Sequence, residues 1–306
     1  MNNRWFCLTA VLCAGLTLSS CHKDLTDDAE EDSNKVILRY TIPAVVDFDK
    51  SIYNMRWLLY DSQGHYVREL DMQPRHRQTF ELADMPDGQY TVINVGNTTD
   101  RTFFEHMESL DSLQLWANTR DEGGWYENVD CIYWQMRTFT LSDNGVTRVD
   151  MPLANSHCHL HVHVWWKGLP GRSGLWTMRL YDVSVNYYAG RQGQNIATLD
   201  HPLLGEATGE HRITVEPLNF ELDGEFVVFR WTDSHVPKLQ IWCNDEAASP
   251  LIDLGKVFGE WHWSPDRTVA QDYYLDVQIN DDGSADVSTW GRGRIADWVD
   301  GGVIGN

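Results

Sequence analysis

Short segments in which apolar and polar residues alternate recur along the chain from residue 35 onward. Side chains on a β-strand point alternately to its two faces, so each such segment predicts a strand with one buried face. The segments follow one another at a spacing of about 8 to 12 residues, which is typical of β-sandwiches. The first of them has apolar side chains at every second position: Val36, Leu38, Tyr40 and Ile42.

Sequences typical of tight turns separate these segments. Residues 61–64 (DSQG) lie between the apolar-rich residues 52–60 and 65–70, and this arrangement predicts a hairpin. Residues 86–88 (PDG) and 281–283 (DDG) predict two further turns between strands.

One segment departs from the alternation. Between residues 100 and 116, large apolar side chains recur every three or four positions, which predicts one short helix. The side chains concerned are Phe103, Phe104, Met107 and Leu110. Elsewhere the pattern predicts strands as far as residue 290, including residues 257–263. The fold class is therefore all-β, with an N-terminal sandwich in residues 35–153 and a C-terminal sandwich in residues 154–306.

The first twenty residues have the character of a lipoprotein signal peptide. Arg4 precedes an apolar run of about a dozen residues, shorter than the roughly 20 that a membrane-spanning helix needs. The small residues Ser19 and Ser20 come directly before Cys21, in the pattern of a lipobox. We expect residues 1–20 to be removed and Cys21 to carry acyl chains such as palmitate that anchor the protein in a membrane. An ordinary signal peptide with an incidental cysteine is the alternative.

Residues 21–34 form an acidic segment with almost no apolar side chains. Such a segment buries too little apolar surface to offset the entropy lost on ordering, so it predicts a solvated tether. Lys23 and the acids that follow it, Asp24, Asp27 and Asp28, resemble the export signal of surface lipoproteins in Bacteroidota. This resemblance implies a protein held on the outer membrane and exposed at the cell surface. A plain spacer is the alternative.

The chain as a whole is strongly acidic, with a formal net charge of −21. This charge disfavours nucleic acid and anionic membrane surfaces as partners.

The cysteines beyond the signal region are too few for a disulfide framework. Cys131, Cys158 and Cys243 have apolar strand neighbours, which favours buried free thiols, and a Cys131–Cys158 disulfide is the alternative.

Four histidines alternate within the strand that is predicted for residues 157–166. On a strand they share one face, and histidines two positions apart can chelate a divalent transition metal. The candidate ligands are His157, His159, His161 and His163. The alternative is a polar, solvent-facing side of a strand whose other side lies in the core. A closed metal site also needs a carboxylate or thiol from another strand, and the sequence identifies none.

The chain contains 14 tryptophans, whose flat indoles suit stacking on sugar faces. Packing in sandwich cores and interfaces is the alternative.

Motifs of serine hydrolases, zinc peptidases and nucleotide-binding proteins are absent from the sequence. A pair of glycosidase carboxylates would leave no spacing signature in so acidic a chain. We expect no enzymatic activity, no cofactor and no small-molecule substrate. A structural role and glycan binding remain as the two hypotheses.

Several of these segments together resemble the FimB-type fimbrial anchoring subunits of Bacteroidota. They are the lipobox, the acidic tether, residues 57–67, and the turn segment 82–97 with Leu82, Pro86, Gly88 and Tyr90, followed by residues 272–298. The resemblance implies two tandem transthyretin-like Greek-key β-sandwiches. It also implies a lipid-anchored protein that fixes the base of a fimbria, ends its polymerisation and contacts the fimbrial shaft subunits.

Two further expectations follow from this resemblance. In stalk subunits of such fimbriae, an arginine-directed protease is thought to remove the first strand, and a neighbouring subunit's strand then fills the groove. This chain has no arginine between Tyr40 and Met55, so its first strand is expected to stay in place. The tail beyond Trp290 is a candidate contact for the next subunit, with a frayed chain end as the alternative. Its apolar residues are Ile295, Trp298, Val299, Val303 and Ile304.

Overall fold

A computed structural model describes residues 34–43, 48–72, 78–119, 123–142, 145–166 and 173–289. The described residues are mostly β-structure in several sheets, so the predicted all-β, sandwich-like class is confirmed. The strands of the first half are β1 (Asn34–Thr41), β2 (Met55–Tyr60), β3 (Tyr66–Met72), β4 (Thr79–Met85), β5 (Gly88–Gly96), β6 (Thr102–Glu105), β7 (Gln114–Ala117), β8 (Tyr133–Leu141), β9 (Val146–Pro152) and β10 (Ala154–Asn155).

The second half continues with strands and most of the helical structure. Its strands are β11 (His157–Trp166), β12 (Trp176–Ser184), β13 (Asn186–Gln192), β14 (Pro202–Leu204), β15 (Thr208–Val215), β16 (Glu221–Phe229), β17 (Lys238–Cys243), β18 (Glu246–Ala247), β19 (Ile252–Asp253), β20 (Gln271–Ile279) and β21 (Ala285–Thr289). The helices of the described ranges are α1 (Phe48–Ser51), α2 (Leu254–Glu260) and a 3-10 turn (Pro265–Arg267).

Two sheets enclose the core of the N-terminal half. One has the strand order β4-β1-β9, and the other has the order β10-β8-β5-β2-β3. The first strand is the middle strand of its sheet, antiparallel to β4 and parallel to β9. Its inward side chains pack in a cluster that also contains Trp57, Val92 and Leu141. The first strand is therefore an integral part of this core.

Two other sheets enclose the core of the C-terminal half. Their strand orders are β16-β11-β20-β21 and β15-β12-β17-β18, with β19 paired to β17. Long alternating strands supply the core residues, and β20 shows the pattern most clearly because every second side chain of it is buried. Leu160, Met178, Phe226 and Leu275 are among the fully buried residues of this core.

A third core cluster combines residues from both halves of the chain. Leu58, Ile93 and Trp134 come from the N-terminal strands, whereas Tyr187 and Phe229 come from the C-terminal ones. The sheet β14-β13-β7-β6 contributes to this cluster and pairs strands from both halves. The division into two domains near residue 154 remains a prediction.

The predicted turns are present, and two of the three join paired strands. In the turn of the β2–β3 hairpin, Gly64 has a φ of 78°, a conformation that glycine adopts readily. Oδ1 of Asp61 accepts hydrogen bonds from the backbone N–H groups of Gln63 and His65 and so stabilises this turn. The β20–β21 hairpin turns at Gly283, with a φ of 79°. The turn at residues 86–88 instead carries the chain from one sheet to the other, because β4 pairs with β1 and β5 pairs with β2 and β8.

The helix predicted between residues 100 and 116 is wrong. This segment forms the antiparallel strands β6 and β7, and β7 pairs in addition with β13. Three of the apolar side chains of this segment pack against the third cluster: Phe104 from β6, and Met107 and Leu110 from the turn after it. Their spacing arises because the backbone bends over the core, and not because it is helical. Pairing with a strand distant in sequence outweighed the local pattern.

The strand predicted for residues 257–263 is also wrong, because this segment lies mostly in α2 and the turn after it. Asp253 caps the helix by accepting a hydrogen bond from the backbone N–H of Lys256 at 3.2 Å. Leu254 and Phe258, four positions apart, are the residues that α2 buries.

Candidate functional site

The strand β11 has the two faces that its sequence predicts. Its apolar set, Cys158, Leu160, Val162 and Val164, is at most 1% exposed and lies in the C-terminal core. The histidines occupy the other face, between β16 on one side and β20 on the other. Both neighbouring strands place carboxylates beside them, so this face is a polar surface lined by histidines and acids.

The two outer histidines are each paired with a carboxylate. Nε2 of His161 lies 3.2 Å from Oδ1 of Asp272, and Nδ1 of His163 lies 2.8 Å from Oδ1 of Asp223. The ring of His161 also stacks on Tyr274, with centroids 4.3 Å apart and planes 8° from parallel. The outer part of the face is thus an array of exposed or half-buried histidine–carboxylate contacts, which contribute little to stability.

The two inner histidines have different surroundings. Nδ1 of His157 donates a hydrogen bond to the carbonyl oxygen of Ile132 at 3.0 Å, and this buried ring is held neutral because burial lowers its pKa to about 3. Nδ1 of His159 lies 2.9 Å from Oε1 of Glu225, while Nε2 of His159 lies 3.5 Å from Sγ of Cys131. The hydrogen bond with Cys131, and then the one with Glu225, raise the pKa of His159 to about 9 against the opposing effect of burial.

The structure thus brings residues to the histidine face that the sequence did not identify. Ligand atoms of Cys131, His157 and His159 lie within 4.8 Å of one another, and so do those of His159, His161 and Glu225. His163 belongs to neither group. Cys158 points into the core, as expected, and burial raises the pKa of its thiol. Cys131, Cys158 and Cys243 are free thiols, and Cys131 is the half-buried one among them.

The tryptophans of the described ranges are all buried or half-buried. Trp57, Trp134 and Trp231 are among the largest fully buried side chains. Trp261 and Trp263 pack against each other with centroids 4.8 Å apart, and both contact Phe258. The described part of the chain therefore has no exposed row of indoles that could stack on a glycan.

A cavity of about 540 Å³ lies beside β14 and is lined by His201, Arg230 and His235. No motif in the sequence predicts this cavity, because its lining comes from three separate segments. The buried guanidinium of Arg230 donates from its terminal nitrogens to the carbonyl oxygens of Val269 at 2.8 Å and Pro265 at 3.1 Å, so backbone oxygens offset much of the cost of burying its charge. This arginine ties the end of β16 to the loop that precedes β20.

Three other groups of candidate residues lie outside the described residues. They are the lipidation site Cys21, the export segment with Lys23, Asp24, Asp27 and Asp28, and the tail residues from Ile295 to Ile304. None of the described helices is long and apolar enough to cross a membrane.

Comparison with protein families gives a match to part of the chain. The family described as fimbrillin-A associated anchor proteins Mfa1 and Mfa2 matches residues 44–171. A search of curated protein sequences found no relative of this chain.

Solved structures with the same fold cover most of the chain. The fimbrial anchor protein Mfa2 from Porphyromonas gingivalis superposes with a TM-score of 0.60 at 12% identity, over 84% of this chain and 98% of that one. A proposed adhesin from Bacteroides ovatus gives a TM-score of 0.60 at 10% identity, over 84% and 93% of the two chains. A protein from Bacteroides thetaiotaomicron, described as a proposed polysaccharide-binding protein, gives 0.59 at 10% identity, over 85% and 98%. The family match and these folds confirm the resemblance to fimbrial anchoring subunits.

Proposed function

We propose, from the match to the fimbrial anchor family, that this protein anchors a fimbria at the cell surface and serves in adhesion. Its role is structural: it holds the base of the fimbria and ends its polymerisation, with no catalytic step, no cofactor and no small-molecule substrate. Its partners are the fimbrial shaft subunits. The comparisons support the fimbrial role, and the sequence and packing of this chain support the lipid attachment and the contact with the shaft.

The observation that carries the proposal is the position of the first strand. In β1, Val36 and Leu38 are fully buried, and Tyr40 is 1% exposed. The hydroxyl of Tyr40 donates to Oδ1 of Asn94 at 2.8 Å, which fastens β1 to the opposite sheet. An anchor must transmit force from the fimbria to its attachment point through an intact chain. A first strand held on both edges and in the core supports that role.

The attachment point in this proposal is the lipid on Cys21. Acyl chains on this cysteine bury many methylenes at about 0.8 kcal/mol each, well beyond the marginal hold of a single myristoyl chain. The acidic tether, residues 21–34, then links the lipid to the folded part of the chain. The export segment within this tether directs the protein to the outer face of the cell.

The contact with the shaft is assigned in this proposal to the tail. Residues 291–306 combine apolar side chains with glycines, as in segments that add to the edge of a neighbouring sheet. The side chains proposed to contact the next subunit are Ile295, Trp298, Val299, Val303 and Ile304.

Glycan binding is the second candidate, because one protein of the same fold is described as a proposed polysaccharide-binding protein. The fold alone does not carry a binding function. In this chain the described tryptophans are buried or half-buried, so they favour packing over stacking on sugars. Anchoring is therefore the function that the observations favour.

Affinity capture from solubilised outer membrane tests the proposal. The full-length protein should recover fimbrial shaft subunits, and a variant lacking residues 291–306 should recover them much less while remaining folded and membrane-bound. Recovery of shaft subunits by both proteins would contradict the proposed role of the tail but not the anchoring function. Recovery by neither, together with retention of the full-length protein on immobilised surface polysaccharide, would instead support glycan binding.

A further inference from the structure

The inner end of the histidine face brings together one thiol and two imidazoles. Ligand atoms of Cys131, His157 and His159 lie within 4.8 Å of one another. Cys131 precedes β8, and the two histidines lie at the start of β11. The group therefore joins two separate segments of the chain, since Cys131 and His159 are 28 residues apart in the sequence.

The distance between two of these ligand atoms matches what zinc requires. With Zn–S at about 2.3 Å, Zn–N at about 2.05 Å and tetrahedral angles, the sulfur and a ligating nitrogen lie about 3.6 Å apart. The distance from Sγ of Cys131 to Nε2 of His159 is 3.5 Å. A metal ion therefore fits between these two atoms with little movement of either side chain.

Both imidazoles also have the partners that metal-ligating histidines usually have. Nδ1 of His157 donates to the carbonyl oxygen of Ile132, and Nδ1 of His159 is hydrogen-bonded to Glu225. Such bonds place a proton on Nδ1, so Nε2 is the atom of each ring that is directed to a metal. Nε2 of His157 already has a free lone pair, whereas Nε2 of His159 gives up its proton when a metal binds. The carboxylate of Glu225 also increases the basicity of His159 as a ligand.

The backbone holds the thiol in place independently of any metal. The backbone N–H of Val129 donates to the carbonyl oxygen of Val227 at 2.8 Å, and Asn128 bonds through its side chain to β16 at Val227 and Glu225. On the other side, Nδ2 of Asn97 donates to the carbonyl oxygen of Cys131 at 3.1 Å. The position of Cys131 beside β11 is thus set in advance of binding, which lowers the entropic cost of forming a site.

We propose that Cys131, His157 and His159 bind one divalent transition-metal ion of the zinc class, with a fourth position open to water or to a partner's side chain. One thiolate and two imidazoles are donors that zinc prefers, and binding releases to solvent the protons that Sγ of Cys131 and Nε2 of His159 carry. The bound ion would link the segment before β8 to the start of β11. Glu225 acts on the metal through His159 and is a positioning residue.

The second group, His159, His161 and Glu225, is the competing site on the same face. It would need Nδ1 of His159 to lose its proton and Glu225 to give up its hydrogen bond. It would also need His161 to reorient relative to Asp272, whose Oδ1 lies 3.2 Å from Nε2 of His161. The thiol-containing group needs none of these changes, so we favour it.

Cobalt and zinc binding to the purified protein tests the proposal. Co²⁺ should bind one to one and give the near-ultraviolet charge-transfer band of a cobalt–thiolate bond, and Zn²⁺ should displace it. Cys131→Ser and His159→Gln should weaken Zn²⁺ binding by more than about 100-fold, since losing an outer partner alone costs about 10- to 100-fold. Glu225→Gln should weaken it by about 10-fold.

Two matched variants complete the test. His161→Asn and Cys243→Ala should leave both the affinity and the thiolate band unchanged, because neither side chain belongs to the group. Zn²⁺ should also raise the melting temperature of the wild-type protein and not that of Cys131→Ser. A cobalt complex of the wild type without a thiolate band, or zinc binding lost in His161→Asn and kept in Cys131→Ser, would overturn the proposal.

Discussion

Replacing Leu38 with alanine tests whether the first strand is part of the N-terminal core. Leu38 is fully buried within that core, in the middle strand of the β4-β1-β9 sheet. The substitution removes about three methylene equivalents at ~0.8 kcal/mol each and leaves a cavity in a close-packed core. Together these effects should lower the free energy of unfolding by about 3 kcal/mol.

The neighbouring residue on the same strand provides the control. Arg39 points to solvent, and its guanidinium lies 3.9 Å from the carboxylate of Asp150, with more than 60% of each side chain exposed. Arg39→Ala should therefore change stability by less than about 0.5 kcal/mol. Urea unfolding followed by tryptophan fluorescence should show a lower midpoint for Leu38→Ala with an unchanged slope. Equal midpoints for the two variants would refute the packing of β1 described above.

Three further predictions concern attachment, export and pH. Cys21→Ala should release the protein from the membrane fraction or leave it unprocessed, and mass spectrometry showing an unmodified mature N-terminus at another residue would contradict lipidation. Alanine at Lys23, Asp24, Asp27 and Asp28 should protect the protein from protease added to whole cells, whereas unchanged cleavage would make the segment a plain spacer. Burial lowers the pKa of His211 to about 4 in the folded protein, whereas the pKa of this histidine in the unfolded chain is about 6.5. Below about pH 6.5 the unfolded chain therefore binds more protons than the folded protein, and stability falls as the pH drops. Between pH 7.5 and 5 this histidine should cost about 2 kcal/mol, and His211→Gln should show a shallower loss in acid than the wild type.

The parts of the fold that the sequence predicted correctly depend on local geometry. The alternation in residues 157–166 assigned each side chain of β11 to its face, because the two-residue period of a strand is a property of its backbone. The same reasoning identified β1 and the two hairpins around Gly64 and Gly283. These features need no knowledge of which strands are neighbours.

The parts that the sequence did not predict depend on contacts between distant segments. Residues 102–117 form two strands because β7 pairs with β13, a partner some 70 residues further along the chain. The position of Cys131 beside His159 likewise depends on how the segment before β8 lies against β16. Glu225 is 66 residues from His159, and only the register of β16 against β11 brings them together. No spacing of residues along the sequence predicts that register.

The distribution of fimbriae between cells and medium tests the anchoring role most directly. Cells lacking this protein should shed their fimbriae into the culture medium or make abnormally long ones, and the wild-type protein supplied in trans should restore attached fimbriae of normal length. Electron microscopy of the cells and immunoblots of shaft subunits in the medium measure both quantities. If cells without the protein keep attached fimbriae of normal length and shed none, the anchoring role is wrong.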